Sequence, residues 1–149
     1  MEDIDETQRM IFRIIYIFRR IMDQTMTRKH ITAENRLNIT YWPYIMNIGQ
    51  DGILNTALVH QIKVTRQAVS KTIREMEQSG LVHTVKSGSD ARALMITLTE
   101  EGKILYQAIK ADGDDLSQQY RKILGSARYE KMIDSLLDLV RFHEDLEKK

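Results

Sequence analysis

The sequence predicts an α+β fold, mainly helical, in one domain spanning residues 1–149, and three observations carry that expectation. Apolar residues recur at three-and-four spacing along both ends of the chain, the pattern of amphipathic helices. Residues 81–85 and 94–98 are short, rich in β-branched and aliphatic side chains, and separated by a polar loop, as in one β-hairpin. The stretch ahead of the hairpin is divided by turn and cap residues into pieces that fit only short helices.

The first helix is expected over residues 4–26. Ile4, Ile11, Ile14, Ile15, Phe18, Ile21 and Met22 share one face, while Phe12, Tyr16 and Ile17 widen the apolar surface beyond what a single core contact needs. A second copy of the chain would supply the additional cover. After a polar stretch over residues 25–38, Thr40 offers a cap and Pro43 a first-turn residue for a second helix, since proline's missing N–H does no harm there. Gln50-Asp51-Gly52 is a turn, and Asn55 offers the cap of a third helix through Ala57, Leu58, Val59 and Ile62.

Lys63-Val64 leaves room only for a tight turn before a fourth helix, capped by Thr65, with Val64 and Val69 placed to form a hydrophobic staple. Val69, Thr72, Ile73 and Met76 fall on one face of it, and Gln67, Ser70, Lys71, Arg74 and Gln78 on the other. Gly80 ends the helix in a left-handed cap. The hairpin follows, its loop running from Lys86 to Ala93. Thr99 then caps a long helix whose first turn carries Glu100 and Glu101, with Gly113 as a bend. A last helix starts after Ser126 and uses Met132, Ile133, Leu136, Leu137, Val140 and Phe142.

Composition narrows the function. No apolar run reaches the roughly 18 to 20 residues of a membrane span, and the acidic start Met1-Glu2-Asp3 is unlike a secretory leader, so a cytoplasmic location is expected. With no cysteine, disulfides, thiolate metal sites, cysteine nucleophiles and thiol redox switches are excluded. The net charge of +1 conceals an uneven distribution. Between residues 63 and 92, Lys63, Arg66, Lys71, Arg74, Lys86 and Arg92 face only Glu75, Glu77 and Asp90, which makes this segment +3 and the remainder −2.

A short helix, a tight turn into a second helix with a polar outer face, and a hairpin with a basic tip, in that order, describe a winged helix-turn-helix over residues 40–98. In such a unit the second helix enters the major groove and the wing reaches phosphate or the minor groove. Gln67 suits adenine, Arg74 suits guanine, and Ser70 and Lys71 suit bases or phosphates. Taken alone, the helix reads more readily as a solvated amphipathic surface helix than as a DNA contact. The hairpin directly behind it adds weight to DNA binding.

The run from Val64 to Lys71, then Glu77-Gln78-Ser79-Gly80-Leu81-Val82, Asp90-Ala91-Arg92 and Leu98-Thr99-Glu100-Glu101-Gly102, resembles the MarR family of transcription regulators over residues 40–102. It departs from the family pattern at Val59 and Lys63, where Ala and Gly are common, and at Ala93, where a further basic residue is common. The resemblance implies a sequence-specific, ligand-responsive repressor of double-stranded DNA, dimerised through helices over residues 4–26 and 100–146 on a pseudo-palindromic operator. It marks Thr65, Arg66, Gln67, Ser70, Lys71, Arg74, Lys86, Asp90 and Arg92 as DNA-binding residues, with Arg92 in the minor groove and Asp90 orienting its guanidinium. It also implies a small aromatic effector between the dimerisation helices and the winged unit, where Tyr16, Tyr41 and Trp42 would lie. An aromatic cluster of that kind, which Tyr44 extends, reads also as plain core.

No cofactor is expected, because His30, His60, His83 and His143 are scattered and lack metal-ligand spacing. No phosphate loop, serine elbow or paired-acid motif points to an enzyme. The alternative function is a winged-helix protein-interaction module that binds no nucleic acid.

Overall fold

The helical periodicity of the N-terminal segment and the β-branched run of the hairpin both become regular elements in the computed structural model, which describes residues 6–32, 35–36, 39–89 and 92–148. A single 3-10 turn, Glu6–Arg9, leads into α1 (Ile11–His30). The helix outlasts its predicted end at residue 26. No Gly or Pro interrupts residues 25–30, and Thr25 remains helical with its hydroxyl donating back to the Ile21 carbonyl at 2.9 Å. Ile4 lies outside the described residues.

Two short strands, β1 (Ile31–Thr32) and β2 (Asn35–Arg36), pair antiparallel. A second 3-10 turn, Ile39–Tyr41, opens α2 (Trp42–Ile48). Tyr41, not Thr40, occupies the cap position, and no side chain caps this end; Pro43 is in the first turn as expected. The short strand β3 (Ile53–Leu54) was not legible in the sequence, and it displaces the start of α3 (Asn55–Ile62), so that Asn55 is the first helical residue and Leu54 the cap position.

α4 (Arg66–Gln78) begins as its sequence dictates, with the Thr65 hydroxyl accepting from the Ala68 N–H at 3.1 Å. It ends in a Schellman motif. Gly80 adopts φ +77°, its N–H donates to the Glu77 carbonyl at 3.0 Å, and the Leu81 N–H donates to the Met76 carbonyl at 2.9 Å. β4 (Val82–Lys86) and β5 (Leu94–Leu98) form the hairpin, and the sheet order is β3-β5-β4, antiparallel throughout. The core beneath is built from Tyr44, Ile45 and Ile48 of α2, Leu58 of α3, Val69, Ile73 and Met76 of α4, and Val82, Ile96 and Leu98 of the sheet, all buried. Each such side chain contributes roughly 1.5 to 3 kcal/mol of burial free energy.

α5 (Glu100–Leu124) is continuous through Gly113, and α6 (Ser126–Glu147) includes Ser126 as its first residue, with Gly125 at the cap position. The chain divides into two compact units, Met1–Gln107 and Ala108–Lys149, and α5 starts in the first and ends in the second. In the second unit the Ser117 hydroxyl donates to the Tyr129 hydroxyl at 2.7 Å, the Arg121 guanidinium lies 4.4 Å from the Tyr129 ring centre, and Arg121 pairs with Glu130.

Lys63 closes α3 in the left-handed region, φ +66° and ψ +37°, the one non-glycine residue with positive φ among those described. A Cβ there costs on the order of 1 kcal/mol. Lys63→Gly should therefore raise the unfolding free energy by about 0.5 to 1 kcal/mol, read as a higher urea midpoint at unchanged slope. An unchanged midpoint would mean that contacts of the lysine side chain offset the backbone cost.

Candidate nucleic-acid interface

The geometry of the helix-turn-helix follows from two backbone fixtures, the left-handed Lys63 that ends α3 and the Thr65 cap that starts α4. Between them stands Val64 alone, and Thr65 itself is extended, φ −68° and ψ 154°. The buried stripe Val69, Thr72, Ile73 and Met76 holds one side of α4 in the core. Its rotational setting is thereby fixed, and Arg66, Gln67, Ser70, Lys71, Arg74 and Gln78 are all exposed on the remaining surface. Within that surface the Arg74 Nε donates to the Ser70 carbonyl at 3.3 Å, one turn back. Thr65 is also exposed, but its hydroxyl oxygen is engaged as the cap.

Three hydrogen bonds tie the hairpin to this helix and its C-terminal turn and close the hairpin's base. The Thr84 hydroxyl donates to the Glu77 carboxylate at 2.6 Å, the Thr99 hydroxyl donates to the Gly80 carbonyl at 2.6 Å, and the Thr99 N–H donates to the Leu81 carbonyl at 3.0 Å. Thr99 also accepts from the Gly102 N–H at 3.1 Å, so one side chain both caps α5, as expected, and receives the end of α4. At the hairpin's far end the Ser87 N–H donates to the Ala93 carbonyl at 2.8 Å and closes the loop. Lys86 and Arg92 are exposed there, on the two arms of the wing. Asp90 lies outside the described residues.

Asn55 is a residue of this region that sequence reasoning misassigned. Its side chain, expected to cap α3, crosses to the wing, where Nδ2 donates to the Arg92 carbonyl at 3.0 Å and Oδ1 accepts from the Leu94 N–H at 3.2 Å. Glu77 was likewise passed over. Neither carries a local signal, since both act on partners that folding brings near.

The aromatic residues separate by environment. Tyr44 is core, Tyr41 and Trp42 are half-buried at the start of α2, and Tyr16 is exposed on α1. The Tyr41 hydroxyl donates to the Glu75 carboxylate on α4 at 3.4 Å. Burial first, and then the negative charge of Glu75, raise this hydroxyl above its ordinary value near 10.0. Among the described residues no group of His, Asp or Glu is arranged to hold a metal ion, and no helix is long and apolar enough to cross a membrane.

A buried-faced helix with a polar, basic outer surface, braced by a preceding short helix and followed by a basic-tipped wing, defines a winged helix-turn-helix protein of the DNA-binding class. Residues 37–93, which hold the helix-turn-helix and the wing loop, match the model of the MarR family, and a DNA-binding transcription regulator is the reading that this match supports. The regulator FarR of Neisseria gonorrhoeae is 28% identical over 115 residues, covering 75% of this chain and 79% of that protein. Among solved structures, Streptococcus pneumoniae FabT in complex with DNA superposes with a TM-score of 0.78 at 20% identity, over 94% of this chain and 99% of that one. NadR in complex with 4-hydroxyphenylacetate superposes with a TM-score of 0.69 at 21% identity, over 93% and 94% of the two chains. At such identities the structural likeness carries the fold. The family is one of transcription regulators rather than enzymes, and no finding favours the interaction-module alternative.

Proposed function

We propose that the protein is a cytoplasmic homodimeric repressor that places α4 in the major groove and the wing in the adjacent minor groove of a pseudo-palindromic operator. Gln67, Ser70 and Arg74 read base edges, Arg66 and Lys71 hold phosphates, Thr65 sets the helix start against the backbone, and Lys86 and Arg92 serve the wing. Asp90 orients the Arg92 guanidinium through a charge-assisted hydrogen bond. The observation that carries this reading is the exposed polar and basic surface of α4, whose opposite side is locked into the core.

The proposed dimer uses residues 4–26 and 100–146, with the single MarR-type domain spanning residues 1–149. Its support is apolar surface: Ile11, Phe12, Ile15, Phe18 and Ile21 of α1, and Leu136, Leu137, Val140 and Phe142 of α6, are each about half exposed or more. A monomer rarely leaves so many large apolar side chains to water on each of two helices. Light scattering is expected to give twice 17.4 kDa at micromolar concentration; a clean monomer would remove the dimer and the two-fold operator together.

A small aromatic effector near Tyr16, Tyr41 and Trp42 is proposed as the release signal. The Tyr41–Glu75 hydrogen bond supports that placement, because it joins Tyr41 to the DNA-reading helix. NadR, with its bound 4-hydroxyphenylacetate, is a relative in fold for which such a ligand is known.

The test of the reading is selection of bound duplexes from host genomic DNA, followed by affinity as a function of salt. Phosphate neutralisation predicts a linear fall of log K with log salt, of slope about −0.9 per phosphate contacted. Recovery of no enriched sequence, with no salt-dependent binding, would return the fold to the interaction-module reading.

A further inference from the structure

We propose that Asn55 is the positioning residue of the wing, fixing the backbone that carries Arg92 to DNA. The inference rests on the proposed contact between Arg92 and the minor groove. It starts from the sheet register, in which Ile53 pairs with Ile96 and Leu54 with Met95. One further rung would set Asn55 opposite Leu94, but the backbone has already turned into α3 at Asn55 and its main chain is committed to the helix.

The side-chain amide takes over the rung. As a strand residue presents its own N–H and C=O to one side, the amide presents an NH2 donor and an oxygen acceptor side by side, and it uses both on β5 and its approach, accepting from the Leu94 N–H at 3.2 Å and donating to the Arg92 carbonyl at 3.0 Å. Leu94 and Arg92 bracket Ala93, the point where the wing loop returns to the sheet. A fork across these two groups fixes the direction in which the chain leaves the sheet towards the tip. The guanidinium of Arg92 departs from that same backbone.

Asn55 itself stands at the start of the bracing helix α3, half-buried, and joins the helix-turn-helix to the wing by a route separate from Glu77–Thr84. The two DNA-contacting parts are thereby held in register before DNA arrives. Binding then forgoes the cost of ordering the wing, the general benefit of preorganisation. Only asparagine combines the donor and acceptor at this reach, since aspartate lacks the donor and glutamine is longer by a methylene.

The experiment is a double-mutant cycle of Asn55→Ala and Arg92→Ala in the full chain, with affinities for one selected genomic duplex at fixed salt. Each single variant is expected to weaken binding, Asn55→Ala by roughly 5- to 20-fold, and the double variant to be no weaker than Arg92→Ala alone, because coupled residues are not additive. A loss at position 55 that persists undiminished in the Arg92→Ala background, or no loss at all while Arg92→Ala weakens binding, overturns the positioning role and leaves the wing contact standing. Unchanged binding by Arg92→Ala overturns the wing contact itself. Hydrogen exchange of the Leu94 amide is measured alongside and should accelerate in Asn55→Ala without global unfolding. Should that variant fold poorly, Asn55→Asp, which keeps the acceptor for Leu94 and loses the donor to Arg92, enters the same cycle under the same criteria.

Discussion

Gly102→Ala is expected to lower the unfolding free energy by about 3 kcal/mol and the melting temperature by roughly 10 °C, although it exchanges a poor helix former for the best one. Gly102 is buried in the first turn of α5, where an added Cβ would stand 2.2 Å from the Leu81 carbonyl oxygen and 3.2 Å from the Leu98 Cβ. Neither neighbour is free to retreat. The Leu81 carbonyl accepts from the Thr99 N–H, and Leu98 is a buried core residue paired with Val82. The methyl group would push α5 away from the junction of α4 and the wing. Gly113→Ala is the control, since nothing lies within 4 Å of a Cβ at that position, midway along the same helix. There, propensity alone acts and should raise stability by about 1 kcal/mol. Calorimetry on both variants distinguishes steric from helix-propensity control by sign. A gain at both positions would mean that the Leu81 carbonyl yields.

The close approach at Gly102 was not visible in the sequence, although the Leu98-Thr99-Glu100-Glu101-Gly102 run marked the place. What the sequence disclosed well were features set within a few residues: the Thr65 cap, the buried stripe of α4, the Gly80 end, and hairpin strands displaced by no more than one residue. Each depends on neighbours along the chain. What it concealed was non-local. A two-residue strand such as Ile53–Leu54 has no periodicity to detect and exists because β5 runs beside it. Asn55 looks like a cap by residue type, yet the wing offers its amide two partners where a cap offers one. Thr25 looked like the start of a loop, but a back-bonded hydroxyl is compatible with helix. For the proposed DNA-contacting residues, polarity and spacing indicated which side chains of α4 face outward; the core contacts of Val69 and Met76 are the physical reason that they do.

Arg74→Ala should weaken binding to the selected operator by roughly 1 to 3 kcal/mol, about 5- to 150-fold, and weaken binding to an unrelated duplex much less. The side chain sits on the exposed surface of α4 seven residues beyond Gln67 and four beyond Ser70, so the three line one ridge along the helix. Arginine is suited to guanine because its guanidinium presents paired donors to O6 and N7, and the Nε bond to the Ser70 carbonyl steadies the group along that ridge. Lys71→Ala provides the contrast. An ammonium on a phosphate supplies affinity without sequence information, so its loss should weaken both duplexes alike and reduce the salt slope by about 1. Neither change should move the melting temperature appreciably, because both side chains are exposed. The deciding quantity is the ratio of operator to random affinity, which should fall for Arg74→Ala and hold for Lys71→Ala. Equal losses on both duplexes for Arg74→Ala would move that residue to the phosphate backbone and leave base reading to Gln67 and Ser70.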